Sequence, residues 1–417
     1  MENVRPVGGA FFPLDEELGL LSGSLTPSLQ EDVVHLGAWM PFAKAGQELA
    51  HFRRTQISRS TVARITENAG AAYVEWQQGA VAHLERKLPQ APEGPEKQFL
   101  SVDGAMVPLV KGEWAEVKTL VLGDVQAPVQ EGGHQVVHTG DHSYFSRMTD
   151  AKTFQRQALI ETHMRGVEKA DRVVAVTDGA EWIQKFIDHH RHDAVRILDF
   201  PHAAERLNTI AQTVWGEGSE PAMAWFEAQR HRLKQEGPEP VLDEIRKLIA
   251  EQEPSSELDS HLSYLEKRVE HLRYPQFQAA GWPIGDGAVE SANKLVVEAR
   301  LKGSGMHWAR SNVNPMLALR NIACSDRWVQ AWPQIARMQR HQNLQRQRQR
   351  RRQRLADNSP PPVPVPPPQT ATPKQKSSQN APASKQPWKP PEDHPWRRMP
   401  VGRARFKQHH TPNRAKT

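Results

Sequence analysis

Cysteine is almost missing: Cys324 is the single one in 417 residues. One thiol makes neither a disulfide within the chain nor a multi-cysteine zinc site, and Cys324 reads as a small core residue. Long apolar runs are missing too. No stretch approaches the ~20 residues that span a bilayer, and the opening Met-Glu-Asn-Val-Arg-Pro lacks the charged-then-apolar order of a secretion signal. The expectation is a cytoplasmic protein with no membrane partner. Hydrophobic residues make up only 38% of the chain, a low share for one folded throughout. The deficit is local. Residues 341–417 carry 17 Lys or Arg against 3 acids, a net of +14, so the whole-chain +6 leaves −8 on residues 1–340. A basic tail on an acidic body points to a polyanion such as nucleic acid, or to a solvated segment.

At this length a core domain with appendages is expected. Residues 1–27 are Gly/Pro-punctuated and read as an arm. Three helical pieces follow, at 28–39, 42–51 and 58–78, the last able to run on to Leu88, with Ser58 placed to cap it. The third begins with Arg59, Ser60 and Thr61. Short helices with such a start read as a helix-turn-helix module over 28–78, whose Arg59 and Ser60 reach DNA, or as a plain three-helix packing unit. Residues 79–97, with Pro89, Pro92 and Pro95, are helix end and linker. Strands are expected at 98–103, 114–125 and 134–145, then a helix over 150–170, a strand at 173–177, a helix, a strand at 195–198 and a helix. Three strands, helix, strand, helix, strand, helix is the order of a ribonuclease-H-like α/β fold, a mixed sheet with flanking helices. Its first part is 98–207. A helical subdomain is inserted at 208–280, and 281–338 return to the core with helices near 285–300 and 311–338. Gly303 to Trp308, Gly-Ser-Gly-Met-His-Trp, reads as a turn. From 339 to 417 the Arg run, including Arg350, Arg351 and Arg352, and the Pro-rich patch at 360–368 read as a disordered basic tail, with the Arg run either touching nucleic acid or extending the preceding helix.

The chemistry gathers on acids at strand ends. Val102-Asp103-Gly104, Thr177-Asp178-Gly179 and Leu198-Asp199 each close an apolar run. Asp-Gly is a common turn, and an Asp before a helix is a good N-cap, so each has a structural reading. Glu290 stands in the first turn of a later helix, where an acid also suits the helix dipole, and Asp286 is a rival carboxylate. In company, two acids at strand ends and one on a helix suit divalent cations, which want carboxylate oxygens and keep water positions open for phosphate.

Taken together, Val-Asp-Gly at 102–104, Thr-Asp-Gly-Ala-Glu-Trp-Ile at 177–183, Leu-Asp-Phe-Pro-His-Ala at 198–203, Gly-Ala-Val-Glu-Ser-Ala-Asn-Lys at 287–294 and Gly-Ser-Gly-Met-His-Trp at 303–308 resemble the ISKra4 family of insertion-sequence transposases, over roughly residues 10–335. The resemblance implies a DDE transposase that cuts at insertion-sequence ends and joins them to target DNA. It assigns Asp103, Asp178 and Glu290 as the acids that hold two Mg²⁺ ions, or Mn²⁺ in their place, with Asp103 bridging. Asp199 and His202 match an Asp-x-x-His signature, in which His202 contacts a phosphate, orients Asp199 or simply makes a structural hydrogen bond. The implied partners are double-stranded DNA, both element ends and target, and further copies of the chain assembled on it, in the cytoplasm at the nucleoid. The chain departs from the family in lacking the metal-binding cysteines that members often carry near the N-terminus, and in having Asp286 where a small residue is expected. Two other functions fit the residues: a DNA-binding regulator on an inactive core, and a nuclease of the same fold.

Overall fold

Arg172-Val-Val-Ala-Val-Thr177 is buried from Val173 onward, as a strand covered on both faces must be, and its neighbours fix the sheet around it. The computed structural model describes residues 25–131 and 134–357. The expected arm at 1–27 lies almost wholly outside them, as does the Pro-rich stretch from 358 on. Helices α1 (Pro27–Trp39), α2 (Phe42–Arg53) and α3 (Arg59–Lys87) come first. Strands β1 (Lys97–Pro108), β2 (Trp114–Val125), β3 (Val129–Glu131), β4 (His134–Val136) and β5 (Thr139–Arg147) follow, then α4 (Ala151–Met164), β6 (Arg172–Thr177), α5 (Glu181–Arg191) and β7 (Val195–Leu198). One five-stranded sheet runs β5-β2-β1-β6-β7, with β3 and β4 forming a separate ribbon. The β5-β2-β1 side is antiparallel and the β1-β6-β7 side parallel, so the fold is mixed α/β.

Two cores sandwich the sheet. On one face Leu100, Val102, Leu120 and Ala175 meet Phe154 of α4 and Phe186 and Ile187 of α5. On the other, Phe99, Val174, Val176 and Ile197 meet α6 (Phe200–Trp215) and the helices after it. These are α7 (Glu220–Gln235), α8 (Pro238–Ala250), α9 (Ser256–Glu266) and α10 (Tyr274–Ala279). The chain then re-enters the core as α11 (Gly287–Ala292), which continues through a π-helical turn, Asn293–Glu298, to Ala299–Leu301. The last helices are α12 (Arg310–Cys324) and α13 (Trp328–Asp357).

Several boundaries differ from those expected. The strand expected over 134–145 is two, β4 and β5. The helix over 150–170 stops at Met164. The helix over 311–338 is two, because Asp326 adopts φ 53° and the Arg327 amide bonds back to the Ile322 carbonyl at 2.9 Å, a Schellman-type stop. Residues 339–357, placed by the sequence either in a disordered basic tail or, for the Arg run, in an extension of the preceding helix, continue α13. From Gln334 to Asp357 no Pro or Gly interrupts a run dominated by Gln and Arg, good helix formers that need no buried face to propagate a helix already begun. α6 crosses the expected boundary at 207/208. The N-terminal helices are tied to the core as well: Arg300 Nε donates to the Gly37 carbonyl at 3.0 Å and Arg320 Nη1 to that of Ala38 at 3.3 Å, so two buried guanidiniums satisfy carbonyls left over at the end of α1. Among the described residues no helix is long and apolar enough to cross a membrane.

Candidate active site

The pairing of the parallel strands aligns their ends. β1 meets β6 in the register Leu100–Ala175, and β6 meets β7 in the register Thr177–Leu198. Carried to the strand ends, these registers set Asp103, Asp178 and Asp199 in one row on neighbouring strands about 4.8 Å apart. Phe99, Val176 and Ile197 enter the same core, so by the two-residue alternation of a strand all three acids face that side. α11 packs over this face through Val289 and Ala292.

Each acid is positioned differently. Asp103 accepts a hydrogen bond from Asn293 Nδ2 at 2.8 Å. Its carboxyl is pushed up by burial and, further, by the charges of Asp178 and Glu290, while the Gly104 amide and His202 oppose the shift. Asp178 Oδ1 accepts from the Ala180 amide at 2.8 Å, an Asx turn. The turn needs Gly179, whose φ is 79° and where a Cβ would stand 2.7 Å from Arg268 Nε. The inserted helices clamp it: Tyr264 donates its hydroxyl to the Asp178 carbonyl, and Arg268 Nη2 donates to the Gly179 carbonyl at 2.8 Å. Glu290 is exposed on α11, with Lys294 Nζ at 3.9 Å.

Asp199 is fully buried and its oxygens are taken. Oδ2 accepts from the His202 amide at 3.0 Å and from His202 Nδ1 at 2.8 Å, and Oδ1 accepts from the Asp286 amide at 2.8 Å. It caps α6 and orients the imidazole at once. The hydrogen bond and charge of Asp199 raise His202 to about 9, so the ring is a cation at neutral pH. Burial first and then the charge of Asp199 push Asp286 up to about 8, which keeps its carboxyl protonated. Ligand atoms of Asp199, His202 and Asp286 lie within 4.8 Å of one another, the one such grouping among the described residues. The hydrogen bonds to Asp199 tie the three residues into one cluster, and their ligand atoms have the spacing that a metal ion would need. Asp103, Asp178 and Glu290 form a looser set: Asp103 feels the charges of the other two, but the three are not gathered to that spacing.

Sequence reasoning missed the supporting cast. Asn293 stands in the same stretch as Glu290, at the start of the π turn, and its side-chain amide reaches Asp103. Tyr264, Arg268 and Tyr274, whose hydroxyl donates to the Leu198 carbonyl at 2.8 Å, come from the insertion and carry no local signal. Of the residues expected to touch DNA, Arg59 and Ser60 are exposed in the first turn of α3, and Arg350 and Arg352 are exposed on the last turns of α13, which also carries Arg351.

No protein-family model matches the chain, and no curated protein matches it. Among solved structures, the crystal structure of NurA is similar over 58% of this chain and 47% of that one, at 13% identity and a TM-score of 0.09. The chain thus spans under half of that neighbour's length, and at that score the likeness carries no argument.

Proposed function

We propose that the chain is a DDE-type DNA transposase, resembling the ISKra4 family, that cuts DNA at insertion-sequence ends and joins the freed strand to target DNA. One observation carries this reading: Asp103 on the central strand and Asp178 on its parallel neighbour lie in one row on one face, beneath the helix that bears Glu290. The strand order, with β1 central, antiparallel pairs to one side and parallel pairs to the other, supports a ribonuclease-H-like core.

The residues suit divalent metal. Asp103 and Asp178 each have an oxygen not engaged by the amide bonds described, and like charges crowd Asp103, a strain that a hard cation relieves. Asp103, Asp178 and Glu290 would hold Mg²⁺, or Mn²⁺ in its place. Bound there, the metal supplies Lewis-acid stabilisation of the attacking and leaving oxygens of an in-line phosphoryl displacement. The chain's own groups do the rest. Asn293 fixes one rotamer of Asp103, and the Asp178–Gly179 turn is held by Tyr264 and Arg268. His202, locked by Asp199, offers its Nε2–H as a fixed positive donor for a phosphate oxygen. Arg59 and Ser60 at the start of α3, and the Arg-rich end of α13, contact the DNA backbone or base edges.

The test is purified chain with Mg²⁺ and a plasmid carrying its own gene and flanking DNA, with cleavage and strand joining scored together. Joined products support the transposase. Cleavage without joining means a nuclease, and binding without either means a regulator.

A further inference from the structure

We propose that the groove between α3 and the second half of α13 is a docking site for the phosphodiester backbone of double-stranded DNA. The inference rests on the DNA reading above and deepens it, since it says where a strand lies and which side chains hold it. The two helices meet differently along their length. Ala331 and Ile335 of α13 share an apolar cluster with Ala69 and Tyr73 of α3, the ordinary way for one helix to bury a stripe against another. Past Met338 the stripe turns polar. Gln339, Gln342, Asn343 and Arg346 recur at helical spacing on one face of α13, and with Arg64 and Asn68 of α3 they line one cavity of about 520 Å³. That volume is of ligand size.

The charge of the groove is one-sided. Two guanidiniums line it and no acid does, so neither Arg64 nor Arg346 meets a counter-ion within it among the described residues, and both are exposed. Glu75, beside the groove, is engaged by Gln342 Nε2 at 2.6 Å. The Asn and Gln amides set neutral N–H donors beside the two cations, a combination that suits phosphate oxygens and the sugars between them. Ser58, which caps α3, also lines the cavity, so the start of a 29-residue helix, the positive end of its dipole, borders it.

A duplex fits better than a small anion because the positive charge does not stop at the cavity. Arg348, Arg350 and Arg352 continue exposed along α13. From Arg346 to Arg352 the helix rises about 9 Å, the span of several duplex phosphates. A compact anion would leave those arginines without a partner, whereas a strand lying in the groove runs on past them.

The test titrates the full chain, without metal, into a labelled DNA duplex and follows fluorescence anisotropy over a range of salt concentrations. Arg64→Gln combined with Arg346→Gln should flatten the log–log slope by about 1.8, for two lost phosphate contacts, and weaken binding at least about tenfold, with the circular-dichroism spectrum unchanged. Arg230→Gln combined with Arg246→Gln removes the same charge from exposed positions on α7 and α8 and should do neither. Ala71→Trp, which fills the groove from an exposed position on α3 and changes no charge, should also weaken duplex binding. Native protein that binds the duplex with a slope and affinity these groove variants leave alone would overturn the groove and spare the DNA reading. So would a control pair as damaging as Arg64 and Arg346, or displacement of the duplex by pyrophosphate at matched ionic strength, which would make the groove a small-anion site. Native protein that binds no duplex at all would overturn both.

Discussion

Asp199 is fully buried and holds three N–H groups, so it is the residue whose removal the fold should feel most. Asp199→Ala strands the His202 cation and the Asp286 amide together, and the expected destabilisation is about 3–5 kcal/mol, read as a lower urea midpoint. The protons on its partners give a pH signature. His202 is raised from 6.5 to about 9 and Asp286 from 3.8 to about 8, so the folded chain keeps protons that the unfolded chain releases. The stability they contribute is complete below the unfolded values and is lost as pH rises through about 8 and about 9. The His202 side chain is 39% exposed, so solvent screens its share and Asp286 dominates. Urea midpoints should fall from about pH 4 to about 8, with His202 extending the fall to about 9, and Asp286→Asn should flatten the part below about 8; an unchanged slope there would remove Asp286 from the cluster. The cap at Asp199 was legible in the sequence because a strand end followed by a helix is a local pattern. Its bond to Asp286 spans 87 residues and an entire inserted subdomain, which no local pattern shows.

Helix α3 crosses α12 where Gly70 leaves room. A Cβ there would stand 2.2 Å from the Pro315 carbonyl oxygen, backbone that cannot swing aside. Gly70→Ala should therefore cost about 1–3 kcal/mol despite its better helix propensity, seen as a lower melting temperature; a gain in stability would mean the crossing is looser than described. Helices were the legible elements: α1, α2 and α3 start within a residue of expectation because Thr26 and Ser58 cap and Pro27 opens. The stop at Asp326 was hidden, since its left-handed turn uses a residue with no Gly signature. The π turn at Asn293–Glu298 was hidden for a similar reason, because an extra residue in a helix turn leaves the apolar pattern nearly intact.

Across the whole molecule the charge is segregated, with +14 on residues 341–417 and −8 on the remainder. If the tail grips DNA, deleting 341–417 should flatten the dependence of binding on salt by about 0.9 in log–log slope for each Lys or Arg that pairs with a phosphate; an unaltered slope in filter binding would exclude the tail from the DNA interface. The sheet order, two covered faces and the row of strand-end acids join residues more than 180 positions apart into one site. The central claim is that Asp103 and Asp178 work there as a unit with Glu290. The most direct measurement is Mg²⁺-dependent cleavage of plasmid bearing the gene and its flanks by Asp103→Asn, Asp178→Asn and the double variant. Each single change should lower the rate at least about a hundredfold, the double should be no slower than the singles, and DNA binding should persist. Asp178→Asn protein that cleaves at the native rate in Mg²⁺ would contradict the account.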